Sequence, residues 1–260
     1  MERGANVSIS HLKDISNIVD EFGYESMLLV YHSKLDDPWI KAARALDINH
    51  KFKYMPAIRT YAISPEYCAM ICKAFDLISP NRLMLNIASG DIQSGETSVE
   101  DMVFIKDFMD TPQKRLSYTD EWMSKFLSLY NNTVSEIIMS GHSNETKKMA
   151  EKYNATHLSM LNMHLNAFKD EFSVKNKKQM VSLSVIINDS EKEVEEMLAS
   201  NLGSNQWTIY GSKDSVKKQI LELKEFGITD CMIHPNPTDK NVSLIHYMVK
   251  EMIGENNGIK

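Results

Sequence analysis

One short apolar run is followed directly by residues whose types suit the binding of an anion. The run IIMS ends at Ser140, Gly141, His142 and Ser143 come next, and a helical pattern begins after them. Backbone N–H groups at a helix N-terminus bind phosphate, and a glycine lets the backbone approach a ligand closely. The segment Ser140–Ser143 is therefore a candidate phosphate site, in which His142 adds a donor or points to solvent. It is also interpretable as an ordinary helix cap, with Ser143 as the capping residue.

Other strand ends carry side chains that could act on a substrate. His32 follows the run MLLVY, and a histidine titrates near neutral pH, so it is a candidate proton carrier. Arg59 ends the run that starts at Phe52, and its cation could bind an anionic substrate group or form a buried ion pair. Asn86, Ser89 and Gly90 lie at the end of a third run. Active sites of parallel barrels lie at this end of the strands, although an asparagine there can simply satisfy loop backbone.

The elements that must position these residues alternate along the chain. Amphipathic helical patterns separate seven apolar runs predicted as strands: 27–31, 52–58, 83–88, 136–140, 156–161, 180–187 and 230–234. Helices are predicted at about 11–22, 36–45, 64–78, 118–130, 143–153, 190–198, 212–226 and 243–253, with a long irregular loop over 89–116. Strict alternation predicts a parallel sheet covered by helices. The length favours a single TIM-type (β/α) barrel over residues 1–260, shortened and lacking its first strand.

Composition narrows the functional class. The net charge is −6 and no basic block occurs, which argues against a nucleic-acid partner. Cys68 and Cys72 are spaced to lie on one helix face, where we expect buried apolar side chains and no metal site. The chain has no apolar run of about 20 residues and no signal-peptide pattern at its start, so a cytoplasmic protein without a membrane span is expected.

Four segments, in collinear order, resemble the luciferase-like monooxygenases, especially their alkanesulfonate-monooxygenase branch. The first runs from FGYESMLLVY through DDPW to Arg59. The second, ISPEYCAMICKAFDLISPNRLMLNIASGD, is similar to the long signature of that branch. The others are IIMSGHSNETKKMAEKYNATHL and YGSKDSVKKQILELKEFGITDCMI. Signature residues stand at the expected spacing at Ser64, Pro65, Asp76, Ser79, Arg82 and Asn86, with Asn81 where glycine is usual.

The resemblance implies a TIM barrel that uses reduced FMN and dioxygen. In this family a separate flavin reductase commonly supplies the reduced FMN. One branch of the family instead transfers hydride with a deazaflavin coenzyme. Asn86 and Ser89 would contact the flavin ring or ribityl chain. Arg115 matches the arginine of an Arg-Tyr pair, with Leu116 in place of the tyrosine; its planar guanidinium suits phosphate.

Departures from the branch leave the activity open. Ser182 and Ser184 stand where sulfonate-type enzymes carry an arginine and a histidine, and Leu35 stands where that branch has a reactive cysteine. An alkanesulfonate is therefore not the expected substrate. The first hypothesis is a monooxygenase acting on a small organic substrate. The second is a non-catalytic flavin- or partner-binding barrel whose exposed strand edges a homodimer or partner covers. A deazaflavin-dependent hydride transfer is the third.

Overall fold

The computed structural model describes residues 12–13, 16–17, 24–31, 37–47, 52–90, 111–130, 134–141, 143–159, 179–201, 207–225 and 227–234. Contacts between Cα atoms divide the chain into two compact units, the first spanning Asn6–His157 and the second including Leu158–Lys260.

In the first unit, four parallel strands pair in chain order, and each is followed by a helix. The strands are β1 (Ser26–Leu29), β2 (Lys53–Arg59), β3 (Met84–Ala88) and β4 (Glu136–Ser140). The helices are α1 (Pro38–Leu46), α2 (Pro65–Ile78), α3 (Pro112–Leu129) and α4 (Asn144–Lys152). Strand β5 (Thr156–Ser159) follows α4, and the boundary between the units falls after its second residue. A parallel pair needs such a crossover, because consecutive strands must return to the same end of the sheet.

Side-chain caps set the starts of these helices. Asp37, Ser64, Thr111 and Ser143 each accept a hydrogen bond from a backbone N–H of the first turn. In the first three cases a proline follows, which fits the first helical position because its missing N–H would have no partner there. The predicted start of α3 at Tyr118 was wrong for this reason, since Thr111 and Pro112 repeat the start signal of Ser64 and Pro65. Arg115 consequently lies in a helix and not in the long loop.

Alternation along the strands gives the sheet of the first unit two different faces. Tyr54, Leu85 and Met139 belong to the apolar core that also contains Cys72 of α2 and Phe126 of α3. Their neighbours in the strands point to the other face. That second face carries Met55, Met84, Asn86, Ile138 and Ser140, all of them buried.

The second unit is built around one long strand. It contains β6 (Gln179–Ile187), α5 (Glu191–Asn201), β7 (Trp207–Gly211), α6 (Lys213–Glu225) and β8 (Asp230–His234). β6 pairs in parallel with both β7 and β8, and all nine of its residues are buried. Its odd-numbered side chains from Val181 to Ile187 pack with Val216 and Leu223 of α6. Ser182 and Ser184 therefore lie on the face of β6 turned away from that core.

The alternating α/β organisation is confirmed, but the strand count is not. Eight strands occur in the described residues, one more than the seven predicted. The missed strand is β7, where Trp207 and Ile209 alternate with Thr208 and Tyr210; this period of two is typical of a strand. The predicted helices at 11–22 and 243–253, and the residues that would precede β1, lie wholly or largely outside the described residues. The absence of a first strand and the single-domain organisation stay predictions.

Tyr54 offers a test of the core of the first unit. Its hydroxyl donates to the carbonyl oxygen of Ala45 at 2.6 Å, and the residue is fully buried. Tyr54→Phe leaves that carbonyl without its donor, so we expect the free energy of unfolding to fall by about 1–2 kcal/mol. Urea denaturation would measure this fall. Tyr67→Phe, at an exposed tyrosine, is the control and is expected to change stability by less than about 0.5 kcal/mol.

Candidate functional site

A buried polar pair connects the carboxyl-terminal halves of β3 and β4. Asn86 lies opposite Ile138 and Ala88 lies opposite Ser140, so Asn86 and Ser140 are diagonal neighbours on the same face. The Ser140 hydroxyl donates to the Asn86 side-chain oxygen, and both side chains are nearly inaccessible to water. This bond uses the amide oxygen of Asn86. The amide NH2 group is thus the donor that Asn86 can offer to a ligand.

The turn after Ser140 is closed so tightly that only glycine fits at its first position. Gly141 has φ of +156°, and a Cβ atom there would lie 2.8 Å from Oγ1 of Thr146. Ser143 is the N-cap of α4: its hydroxyl accepts from the Thr146 N–H at 3.1 Å and lies 3.1 Å from Thr146 Oγ1. The helix-cap interpretation is therefore confirmed for Ser143. It is compatible with anion binding by the remaining N–H groups of the first turn.

His157 forms a hydrogen bond to this turn, and it was not identified from the sequence. Its Nε2 lies 2.7 Å from the Gly141 carbonyl oxygen, and the residue is buried. A carbonyl oxygen can only accept, so Nε2 carries the proton and donates. Thr156 bonds to Glu136 of β4, whereas Ala155 belongs to the core. Because side chains alternate along a strand, His157 lies on the same face of β5 as Ala155, the face that the helices cover. A histidine in a short predicted strand that directly follows a helix was the available signal.

The far end of α4 is anchored by charge. The Lys152 ammonium donates to both carboxylate oxygens of Asp120 in α3 at 2.7 Å, and the Tyr153 hydroxyl donates to one of them at 2.8 Å. The bond from Lys152, together with that from Tyr153, lowers the pKa of the Asp120 carboxyl below its usual range. These contacts connect the C-terminal end of α4 to α3.

A second cluster surrounds Gly90, at the exit of β3. The Arg115 side chain, buried in α3, donates from Nε to the Gly90 carbonyl oxygen at 3.2 Å. Gly90 has φ of +91°, and a Cβ atom there would lie 2.7 Å from a ring carbon of Tyr61. Thr60, which precedes Tyr61, and Thr119, one helical turn after Arg115, form a hydrogen bond between their hydroxyl groups at 2.9 Å. The structure thus gives Arg115 a backbone partner, and its pairing with phosphate stays a prediction.

The remaining predicted residues are less closely connected. Arg59 lies opposite Ala88, which lies opposite Ser140. At about 4.8 Å between strands, the backbones of Arg59 and Ser140 are roughly 10 Å apart. Arg59 is partly exposed and makes no ion pair within the described part of the chain; Ser89 is also partly exposed. His32 and His142 lie outside the described residues.

Two negative findings concern the described ranges only. Over those ranges no group of three or more His, Cys, Asp or Glu side chains could hold a metal ion. Cys68 and Cys72 are fully buried on one face of α2. None of the helices given above has both the length and the apolar character needed to cross a bilayer.

The comparisons with known proteins define the class of fold. No family model matches the sequence. Solved structures match over nearly the whole chain. A long-chain alkane monooxygenase aligns with a TM-score of 0.76 and 9% identity, covering 98% of this chain and 86% of the other. A riboflavin lyase, solved with modified FMN and riboflavin, aligns with a TM-score of 0.77 and 11% identity, covering 96% of this chain and 85% of the other. A coenzyme F420 dependent tetrahydromethanopterin reductase from Methanopyrus kandleri aligns with a TM-score of 0.67 and 13% identity, covering 98% of this chain and 99% of the other.

These likenesses show the fold. The chain has the α/β, TIM-type fold of luciferase-like monooxygenases and of the F420-dependent oxidoreductases related to them in structure, as predicted.

Proposed function

We propose that this protein is a flavin-dependent oxidoreductase and, more specifically, a monooxygenase that uses reduced FMN and dioxygen on a small organic substrate. The observation that carries the proposal is the buried Asn86–Ser140 pair directly beside the glycine turn at the N-terminus of α4. The fold supports it, because the solved structures that share the fold include monooxygenases, an enzyme with modified FMN and F420-dependent enzymes.

The donors at the turn suit a flavin phosphate. The first N–H groups of α4 and the positive end of its dipole attract an anion, and Gly141 has no side chain to obstruct it. Ser143 and His142 would add a hydroxyl and an imidazole donor, whereas the Ser140 hydroxyl donates its proton to Asn86 and would contribute its backbone position beside the turn. The carboxylate of Glu145, in the first turn of α4, would repel the phosphate. A dianionic phosphate would therefore be held mainly by neutral hydrogen-bond donors.

The flavin ring and ribityl chain would extend from the turn along the ends of the strands. The Asn86 amide would donate to the ring or the ribityl chain, and Ser89 and Gly90 would line the exit of β3. When bound, the flavin supplies two-electron redox chemistry. Arg59 would orient an anionic or polar group of the substrate, and His32 would carry a proton to or from it. Arg115 would act by fixing the Gly90 carbonyl group.

A deazaflavin is the competing cofactor, because two of the similar structures are F420-dependent enzymes. In that case the reaction would be a hydride transfer without dioxygen. The FMN proposal includes a separate flavin reductase, a homodimeric enzyme and a cytoplasmic location. The serines at 182 and 184 favour the remaining alternative, a barrel that binds flavin or a partner without catalysis.

Titration of the purified protein with oxidised and reduced FMN, riboflavin and F420 tests this proposal. We expect FMN to bind with a dissociation constant below about 100 μM and at least ten times more tightly than riboflavin, which lacks the phosphate. Failure of every flavin to bind below roughly 1 mM would overturn the proposal. Preference for F420 would assign the hydride-transfer reaction.

Catalysis is tested separately with a general flavin reductase, NADPH and a panel of small organic substrates. Substrate-dependent oxygen consumption with formation of an oxygenated product is the expected result. Flavin binding accompanied only by substrate-independent formation of hydrogen peroxide would favour the non-catalytic alternative. His32→Ala and Arg59→Met should then lower kcat/KM for the substrate that is found while leaving the affinity for FMN unchanged.

A further inference from the structure

His157 is a buried ionisable residue for which the proposed function has no role. It is 6% exposed and stands second in β5, and its Nε2 donates to the Gly141 carbonyl oxygen at 2.7 Å. This distance is at the short end of the range for N–H···O hydrogen bonds. The imidazole is therefore closely bonded to the turn that precedes α4, although it lies 16 residues further along the chain.

The Gly141 carbonyl oxygen depends on this bond. Over the ranges that the structure describes, no backbone N–H donates to it, whereas the Ser143 carbonyl oxygen accepts the N–H of Lys147 in α4. A backbone carbonyl group that lacks a protein partner must be bonded by water instead. His157 thus keeps this oxygen directed into the protein.

The bond also sets the orientation of the peptide group that follows Gly141. A peptide group is planar and almost always trans, so its carbonyl oxygen and its N–H point in opposite directions. Because the oxygen is bonded to the imidazole, the N–H of the same group points away from His157. Glycine restricts its backbone angles least of all residues, so without this bond the group would rotate with little steric resistance. His157 therefore determines on which side of the turn that donor lies.

Such a rotation would act on an anion more strongly than on a neutral ligand. A carbonyl oxygen carries partial negative charge, and a rotated peptide group would present that oxygen where the N–H had been. A phosphate at the turn would then lose a donor and meet an acceptor, and hydrogen bonds to charged groups are stronger than those between neutral groups. A neutral ring system bound elsewhere along the strand ends would be affected little.

His157 acts on the turn from within the protein. Its side chain lies on the face of β5 that the helices cover. The turn is confined again at Gly141, where a Cβ atom would lie 2.8 Å from Oγ1 and 3.0 Å from Cγ2 of Thr146. A ligand outside the turn would meet backbone donors and not the imidazole. His157 is therefore placed to orient the site without contacting what binds there.

We propose that His157 is a positioning residue for an anion site at the turn before α4, and that it gives the protein its preference for a flavin phosphate over the same flavin without phosphate. The inference rests on the proposed function, since it concerns the site assigned to the phosphate of FMN. It assigns to His157 the orientation of one backbone donor and no contact with the flavin.

Titration of the intact protein with FMN, riboflavin and inorganic phosphate tests the role of His157. His157→Met keeps a side chain of similar size without a donor, whereas His157→Gln keeps an N–H at a similar reach. We expect His157→Met to raise the dissociation constants of FMN and phosphate by roughly 10-fold, the effect of losing one hydrogen bond to a charged group, and that of riboflavin by less than about twofold. His157→Gln should stay within about threefold of the wild-type protein for all three ligands.

Thr156→Val is the matched control. Thr156 is the neighbour of His157 in β5, is also buried, and bonds to Glu136 at the start of β4, away from the turn after Ser140. This variant should lower the free energy of unfolding without changing the ratio of the FMN and riboflavin dissociation constants. Circular dichroism would verify that all three variants fold.

Nitrogen-15 NMR of the histidine rings in the wild-type protein gives a second test. Donation to a carbonyl oxygen requires a proton on Nε2, and protonated and bare ring nitrogens resonate at different positions. We expect Nε2 of His157 to carry its proton both with and without phosphate. The spectrum of the His157→Gln protein identifies the signal.

The possible results distinguish the role of His157 from the proposed function. An unchanged preference for FMN over riboflavin in His157→Met, no recovery in His157→Gln, or a bare Nε2 would overturn the role of His157 and leave the flavin proposal standing. If the wild-type protein bound phosphate below about 10 mM but bound no flavin, the proposed function would be overturned. Roughly 10-fold weaker phosphate binding in His157→Met would then still support the positioning role. Binding of neither phosphate nor flavin would overturn both.

Discussion

Replacing Gly141 by alanine is expected to raise the dissociation constant of FMN by about 100-fold, while that of riboflavin changes by less than about threefold. A Cβ atom at this position would lie 2.8 Å from Oγ1 of Thr146, so the turn or the first helical turn of α4 must shift. The backbone N–H groups would then no longer converge on the phosphate. Loss of one or two hydrogen bonds to a charged group, at about 1.5–3 kcal/mol each, corresponds to this change. Isothermal titration with both ligands would measure it.

The control for Gly141→Ala is Gly227→Ala. Gly227 also has a positive φ, +88°, but no atom beyond its chain neighbours lies within 4 Å of where its Cβ would be. This variant is strained without a clash and should bind FMN as the wild-type protein does. If the Gly141→Ala protein bound FMN normally, the turn would not be the phosphate site. If the dissociation constants of FMN and riboflavin rose equally, the turn would affect the flavin ring or the fold and not the phosphate.

Replacing Asn86 by leucine is expected to weaken FMN and riboflavin alike, by roughly 10- to 100-fold. The amide NH2 group would be lost as a donor to the ring or ribityl chain, which both ligands possess, so the loss does not depend on the phosphate. The Ser140 hydroxyl would also lose its acceptor. A buried polar group left without a partner costs about 1–3 kcal/mol, and the free energy of unfolding should fall by that amount.

Two further variants separate binding from stability in this case. Adding Ser140→Ala to Asn86→Leu removes the stranded hydroxyl and should recover much of the lost stability without restoring flavin affinity. Thr119→Val breaks another buried hydroxyl bond, that with Thr60, and should lower stability while leaving flavin affinity unchanged. Normal flavin affinity in the Asn86→Leu protein would contradict the role assigned to the amide.

The sequence predicted β4, β6 and β8 more accurately than the rest of the fold. β4 and β8 occur at the predicted residues, and β6 begins one residue earlier, because polar residues bound each of these apolar runs. β7 was missed because Ile209 is the one aliphatic residue among its five and because the strand follows a polar stretch. The start of α3 was missed because the sequence around it is polar. Helix α3 contains few apolar residues in its first turns, and only the capping pair Thr111–Pro112 indicates where the helix begins.

The face that α2 buries could not be read from periodicity alone. Both of its sides are apolar, so the helical period does not distinguish the side that meets the sheet from the side that meets solvent. Small side chains decide the outcome: Cys68 and Cys72 let the helix approach the sheet closely. Tyr67 and Met70 are bulkier and lie on the exposed side.

The candidate site was predicted as separate strand ends and turns, and contacts between them needed the structure. Ser140 and Ser143 were recognised from their position, but the bond from Ser140 to Asn86 spans 54 residues. His157 contacts Gly141 from the following strand, and neither its type nor its spacing indicates which carbonyl it meets. Arg115 was singled out by resemblance for phosphate, and the structure shows it bonded to Gly90.

The bond from His157 to Gly141 also bears on the entropy of binding. A turn of four residues that was free to fluctuate would lose conformational freedom when a ligand ordered it, and each residue so ordered would cost roughly 1 kcal/mol or more. Here the turn is fastened at the Gly141 carbonyl by a buried imidazole and at Ser143 by the helix cap. Most of that loss is incurred when the chain folds. A ligand at the turn would therefore meet donors that are already in position, and preorganisation of this kind favours tight binding.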